Sequence, residues 1–373
     1  MTVTPQPKTG GNMRHTGQMV VFGAGLVAVA LACGGGAAAA ALDVTDISSA
    51  DEAAKLLSAH DYVISDSATD VTLDESDQAW SSTANEVAID LPVDPTESIS
   101  VSSPTGTMDI GLPSATSAED AHLTSAGLIA YDNNDGSYSV PIPGENGELQ
   151  INTLIDSAAA PRSYSYALGL PAEARLEQIG EALFFFGEAD EMLLMVGAPW
   201  AKDSEGLDVP TRYEYADGTL TQFVEHGAET SYPVVADPWF GWTLFHRYSS
   251  GVHLGQKKYS AWPTPAAFLE LQPFRLTGNP PRATGITGTH KQWVDVMGTA
   301  GWAEWKKAWP DITNKPSLRQ QFMCHVSAGA LGVFATHSYD LERSRPNRTN
   351  GNWQTGVVFH QCNWANATGT AKN

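Results

Sequence analysis

Cations are scarce through most of this 373-residue chain, and cysteine is scarcer still. Residues 43–238 hold five Lys+Arg against 36 Asp+Glu, a net charge of −31. Cysteine occurs three times, at positions 33, 324 and 362, which excludes a disulfide-dense scaffold or a multi-cysteine metal array. No G-x-S-x-G turn occurs, so nothing local supports serine-hydrolase chemistry. The glycine run "CGGGA" lies in a leader-like segment, and no phosphate-cradling loop remains elsewhere. Long basic runs and base-stacking motifs are also missing, so nucleic acid is not an expected partner.

What is present is unevenly placed. Residues 239–373 reverse the charge, with 14 Lys+Arg against six Asp+Glu, and hold nine of the 11 tryptophans. A segment of −31 repels itself, and a basic neighbour offsets part of that. Two readings follow: an acidic module that shields or delivers a basic one, or an acidic surface that keeps a secreted protein from associating.

"MRHTGQMVVFGAGLVAVALACGGGAAAAALDV" begins with Arg14 and His15, continues with an apolar run, and ends in small residues. This is the layout of a signal peptide over residues 1–41, with Met13 as an alternative start. "ALAC" also fits a loose lipobox, which would make Cys33 a lipid anchor. An uncleaved membrane anchor is a third reading, although glycines interrupt the run. All three place the remainder outside the cytoplasm, and the mature form is expected to have no transmembrane domain. In an oxidising compartment Cys324 and Cys362 pair as a disulfide, worth about 4 kcal/mol in the chain-entropy model. A Cys2His2 zinc site with His325 and His360 is the rival, but Cys-His adjacency and His-x-Cys are poor ligand spacings. No metal or cofactor is expected.

The length suits two domains. Residues 42–84 read as a short helix followed by a flexible linker. Ser49 and Glu52 make a capping-box pair, while residues 61–83 have few large apolar groups. Residues 85–238 then alternate with period two, from "EVAIDL" to "TRYEYADGTLTQFVEH". Asp135-Gly136 and Asp217-Gly218 mark hairpins. "ALFFFGEADEMLLMV" is a hairpin apolar enough to be covered on both faces. "YDNNDGSY" (131–138) invites a calcium-loop reading, but its acidic spacing fits a turn instead. The fold class is mainly antiparallel β, sandwich or barrel-like.

Residues 239–373 read as a small, basic, Trp-rich α+β domain with one disulfide. "GWTLFHRYSSGVHLGQKKYSAW" and "THSYDLE" are strand-like. "THKQWVDVMGTAGWAEWKKAWPD" is helical but divided by Gly298 and Gly301. Trp302, Trp305 and Trp309 share a helix face with Lys306 and Lys307 off it. That face is either a stacking platform for sugar rings or lipid headgroups, with the lysines meeting an anionic polymer, or core filling. In "PSLRQQFMCHVSAGA" Asn314 is the candidate N-cap. His325, His360, Glu342 and Arg345 are the catalytic candidates. A histidine pair beside Glu and Arg suits general acid–base attack on a phosphodiester or glycosidic bond. The bland alternative is a structural ion pair between Glu342 and Arg345, with histidines capping backbone groups.

Two stretches carry resemblances. "APWAKDSEGLDVPTRYEYADGTLTQFVEHGAETSYPVVADPW" (198–239) resembles an acidic β-rich module of secreted actinobacterial proteins, which ends in Tyr-Pro-Val-Val-Ala-Asp-Pro before differing C-terminal domains. Further on, "LRQQFMCHV", "YDLERSRP" and "FHQCNW" are similar to the domain-of-unknown-function family 2599. The matching positions are Gln321, Phe322, Cys324, His325, Leu341, Glu342, Arg345, Pro346, Cys362 and Asn363. Tyr339, Asp340 and Trp364 depart from the pattern. The resemblance implies an architecture and no activity. The expected function is a non-enzymatic extracellular or cell-envelope binding protein, its partner an anionic envelope polymer or an extracellular protein. The alternative is a secreted effector or hydrolase held by the acidic half until processing near Asp237-Pro238.

Overall fold

Antiparallel hairpins build the first two thirds of the chain, as the turn residues require. A computed structural model describes residues 49–57, 69–73, 78–104, 106–264, 275–277, 282–285, 290–329, 338–348 and 362–365. The leader, Met13, Cys33 and His360 lie outside these residues. At Asp217-Gly218 both residues take positive φ, 49° and 78°. This two-residue turn joins Thr211–Ala216 to Thr219–Val224, and Ser163–Ala167 completes a three-stranded sheet. Val87–Pro92 lies inside a five-stranded meander that runs from Thr72–Leu73 to Gly106–Ile110. The largest sheet has ten strands, with Leu149–Ile155 near its centre. Residues of all three sheets, including Ile89, Tyr166, Leu220, Ile151 and Phe240, share one apolar core.

Helix α1 (Ala50–Leu57) lays Ala50, Ala53 and Leu57 on the other face of the large sheet, against Tyr138, Val140 and Leu154. Its start is capped as read, Ser49 Oγ accepting from the Glu52 amide at 3.3 Å. The linker reading fails in part. Ala79–Ala84 is a strand paired with Val87–Pro92, because positive-φ Asn85 and Glu86 form a tight turn between them. Its short polar side chains hid a strand whose Ser82 is buried.

The second part begins with a hairpin, Phe245–His253 and Gln256–Pro263, to which Tyr339–Glu342 adds a third strand. Helices α2 (His290–Ala308) and α3 (Pro316–Gly329) follow, separated by a 3-10 turn at Pro310–Asn314. Gly298 and Gly301 do not divide α2. A Cβ at Gly301 would come within 2.9 Å of the Phe245 ring, and one at Gly298 within 3.1 Å of Met323. These glycines permit close packing rather than breaking the helix. Asn314 is not the cap of α3 either. Asn347 Oδ1 accepts from the Ser317 amide at 2.9 Å, while Asn314 takes the Arg343 guanidinium at 2.7 Å. Among the described residues no helix is long and apolar enough to cross a membrane.

The hairpin Ala182–Phe186/Met192–Val196 joins the two parts. Its strands alternate, so Leu183, Phe185, Leu194 and Val196 enter the β core. Ala182, Phe184, Phe186, Met192 and Met195 enter the aromatic core with Trp293, Trp305 and Phe322. The large sheet also continues past Pro238. Val234–Ala236 pairs with Leu149–Ile155, and Trp239–Gly241 pairs with the same strand and with Met192–Val196. Asp237 is fully buried, its Oδ1 accepting from the Trp200 amide at 3.0 Å and from Gln222 at 3.2 Å.

Candidate functional site

Gln321 and His325 lie one turn apart on α3 and meet the backbone of Tyr339–Glu342. Gln321 Oε1 accepts from the Glu342 amide at 2.8 Å, and its Nε2 donates to the Glu342 carbonyl at 3.1 Å. His325 Nε2 lies 3.3 Å from the Asp340 nitrogen and 3.2 Å from its carbonyl oxygen. Two side chains at helical spacing thus satisfy the edge of a strand whose other edge pairs with Gln256–Pro263. The His325 ring stacks on Tyr339 at 5.1 Å, and burial pulls its pKa down to about 4. It is neutral at physiological pH.

The motif's end closes over this contact. Cys324 and Cys362 form the disulfide, with Cα atoms 5.4 Å apart, and both are buried with Ala328 and Trp364. With its amide nitrogen facing the acceptors, Asn363 donates to the Asp340 carbonyl at 3.3 Å and Gln321 Oε1 at 3.1 Å. Trp364 Nε1 donates to the Pro346 carbonyl at 2.8 Å.

Glu342 and Arg345 do come together. Arg345 Nε donates to Glu342 Oε2, and the two side chains are only 4% and 8% exposed. The histidine that joins them is His253 rather than His325. His253 Nδ1 lies 3.2 Å from Glu342 Oε2 and 2.8 Å from Ser344 Oγ. Both neighbours address the same ring nitrogen, so this is no serine–histidine–acid relay, which needs one partner on each. His253 sits in the exposed part of a hairpin more than 80 residues upstream, and no local pattern marks it.

The tryptophan stripe divides. Trp305 is fully buried, 5.7 Å from Phe245 and 5.6 Å from Phe322, so its candidacy as a surface platform is corrected to core. A small domain poor in branched aliphatics fills its centre with such rings. Trp309 is half-buried against Tyr248 and Tyr259, and Trp302 against Phe322. Lys306 and Lys307 are exposed. Between these rings the chain hides an acid that the pattern did not reveal. Glu304 Oε1 accepts from the Leu244 amide at 2.7 Å, and Oε2 meets the Phe245 amide at 3.1 Å and the Tyr248 hydroxyl at 3.2 Å. Burial raises its carboxyl to about 8.

In "YDNNDGSY" the acids serve hydrogen bonds, Asp132 to the Asn134 amide and Asp135 to the Ser137 amide and hydroxyl and to the Ser114 hydroxyl. Among the described residues no three His, Cys, Asp or Glu side chains converge as a metal site. Ion pairs such as Arg175–Asp190, Lys202–Asp208, His253–Glu342 and Arg345–Glu342 each lie on one side of Pro238.

Residues 281–364 match the model of a family described as a protein of unknown function, DUF2599. The matched span holds most of the strand-edge network and the disulfide, and stops short of the hairpin that carries His253. No curated protein matches the chain.

Proposed function

We propose that the chain is exported and works outside the cell as a binding protein, its basic C-terminal part meeting an anionic polymer of the envelope. The observation that carries this reading is the occupation of the motif residues. Gln321, His325 and Asn363 hold a strand edge and Glu342 holds Arg345, so they brace the surface they lie beneath. The 14 cations of residues 239–373 face six acids, an excess that attracts polyanions at long range. The leader pattern and the disulfide support export.

The test uses the chain from residue 42 onward on immobilised wall polymer and on an uncharged polysaccharide. Retention on the first, lost as salt rises, is the expected result. No retention at low salt, or retention indifferent to salt, overturns the reading.

A second reading, an extracellular hydrolase, rests on the Glu342–His253 contact. A carboxylate on Nδ1 fixes the imidazole tautomer and leaves Nε2 as a base. Its activation by cleavage at Asp237-Pro238 would require the flanking strands to leave the sheet, since Asp237 is buried there. Intact-mass analysis of culture supernatant decides: a fragment starting near residue 238 favours processing, and full-length mature chain alone removes it.

A further inference from the structure

We propose that Arg319, held against Trp302 and Phe322 where α2 meets α3, is the group that takes a carboxylate or phosphate of the polymer. This deepens the binding function above and rests on it.

A guanidinium drawn half out of water ordinarily meets a carboxylate or a ring of acceptors. Two arginines of the same part do so. Arg345 pairs with Glu342, and Arg343 reaches Asn314, the Asp311 carbonyl and Tyr259. Arg319 instead lies against aromatic rings, its Cζ 4.9 Å from the Trp302 ring centre and 5.5 Å from that of Phe322. Its Nη1 is covered and meets no acceptor, and no carboxylate among the described residues pairs with it. Burial alone pulls its pKa down, to about 10, which leaves it charged at neutral pH.

The described residues therefore keep a cation at a partly dry surface and supply no anion for it. The two rings fix the guanidinium and exclude water from one side, which strengthens its attraction for an incoming charge. Its planar fork suits the paired oxygens of a carboxylate or phosphate. Lys306, exposed one turn beyond Trp302 on α2, and Lys315, in the residue just before α3, add further cations near the site.

The experiment compares the mature chain with Arg319→Met and Arg319→Lys. Polygalacturonate supplies carboxylates, poly(glycerol phosphate) supplies phosphates, and inorganic sulfate probes the site without a polymer. Arg319→Met should weaken polymer binding by about ten-fold or more, with Arg319→Lys intermediate. Its melting temperature should equal or exceed the wild type's, because an uncompensated cation has gone. Sulfate should raise the melting temperature of the wild type and not of Arg319→Met. The polymer that responds to the substitution identifies the anion. Undiminished polymer binding by Arg319→Met, or equal stabilisation of both proteins by sulfate, overturns the assignment. A wild type that binds neither polymer but still shows the Arg319-dependent sulfate effect keeps the anion site and overturns the polymer-binding function.

Discussion

The acidic part of the molecule keeps its many charges outside, and the basic part, with far fewer, takes several of them in. Among the described acids of residues 43–238, only Asp203 and Asp237 are buried. Residues 239–373 bury Glu304, Glu342, Arg345, Arg348 and His325. The acidic part is held by strand ladders over a core of aliphatic and aromatic groups, which are indifferent to pH and salt. In the basic part, side chains such as Gln321 and Glu304 satisfy the backbone instead, so its integrity depends on protonation and pairing. High charge density thus tells little about where electrostatics holds a fold together.

The largest effect should come from the wall the two parts share. Phe184 belongs to the acidic part by sequence but packs in the aromatic core. Phe184→Ala should cost roughly 3–5 kcal/mol and loosen the tryptophans, read as loss of near-UV circular dichroism. Residues 239–373 expressed alone should be insoluble, since they lose that wall and their first strand loses its partners. A soluble, cooperatively melting fragment would break the comparison by showing that the basic part is self-sufficient.

Next in size is the ion pair inside the basic part. Glu342→Gln leaves the Arg345 guanidinium buried without its carboxylate and should cost about 3 kcal/mol. Denaturant unfolding measures it. A cost below about 1 kcal/mol would place the pair among surface bridges, which contribute little.

Protonation gives a smaller effect with a definite sign. Glu304 is raised from 4.5 to about 8, so its contribution is complete at low pH and lost as pH rises towards 8. His325 is lowered from 6.5 to about 4, so its contribution is complete above 6.5 and lost as pH falls towards 4. Between 4.5 and 6.5 the two slopes oppose each other. Of the two, only Glu304 acts above 6.5, where its loss should lower stability by about 2 kcal/mol by pH 8. Glu304→Gln should flatten that fall and expose a rise with pH between 4.5 and 6.5. Chemical denaturation across this range checks both limbs, and an unchanged profile in the variant would remove Glu304 as the cause.

What was legible in the sequence follows the range of the forces. The Ser49 cap and the Asp217-Gly218 turn act across a few residues, and both were readable. The unbroken apolar run in "ALFFF" announced two covered faces, though not that the second cover is the aromatic core. Cys324 and Cys362 were readable because few thiols leave few choices. His253, Glu304 and Arg319 were not, since each is defined by partners outside its own segment. Glu304 sits between tryptophans on a helix, where a glutamate is ordinarily solvated. The Asp237-Pro238 boundary misleads for a related reason: composition changes there, but hydrogen bonding carries the sheet three residues further.

The smallest expected change lies on the acidic surface. Arg175 and Asp190 are paired at 3.0 Å, yet their side chains are 53% and 60% exposed. Such a pair contributes below about 1 kcal/mol. Asp190→Asn suits the position, since asparagine tolerates the left-handed φ of 59° found there. The substitution also removes one negative charge from a segment of −31, and relief of that self-repulsion offsets the lost pair. Asp190→Asn should therefore leave stability within about 0.5 kcal/mol of the wild type, and any difference should shrink with added salt. A loss of several kcal/mol, insensitive to salt, would mean that the acidic part also relies on individual charges, and the contrast between the two parts would collapse.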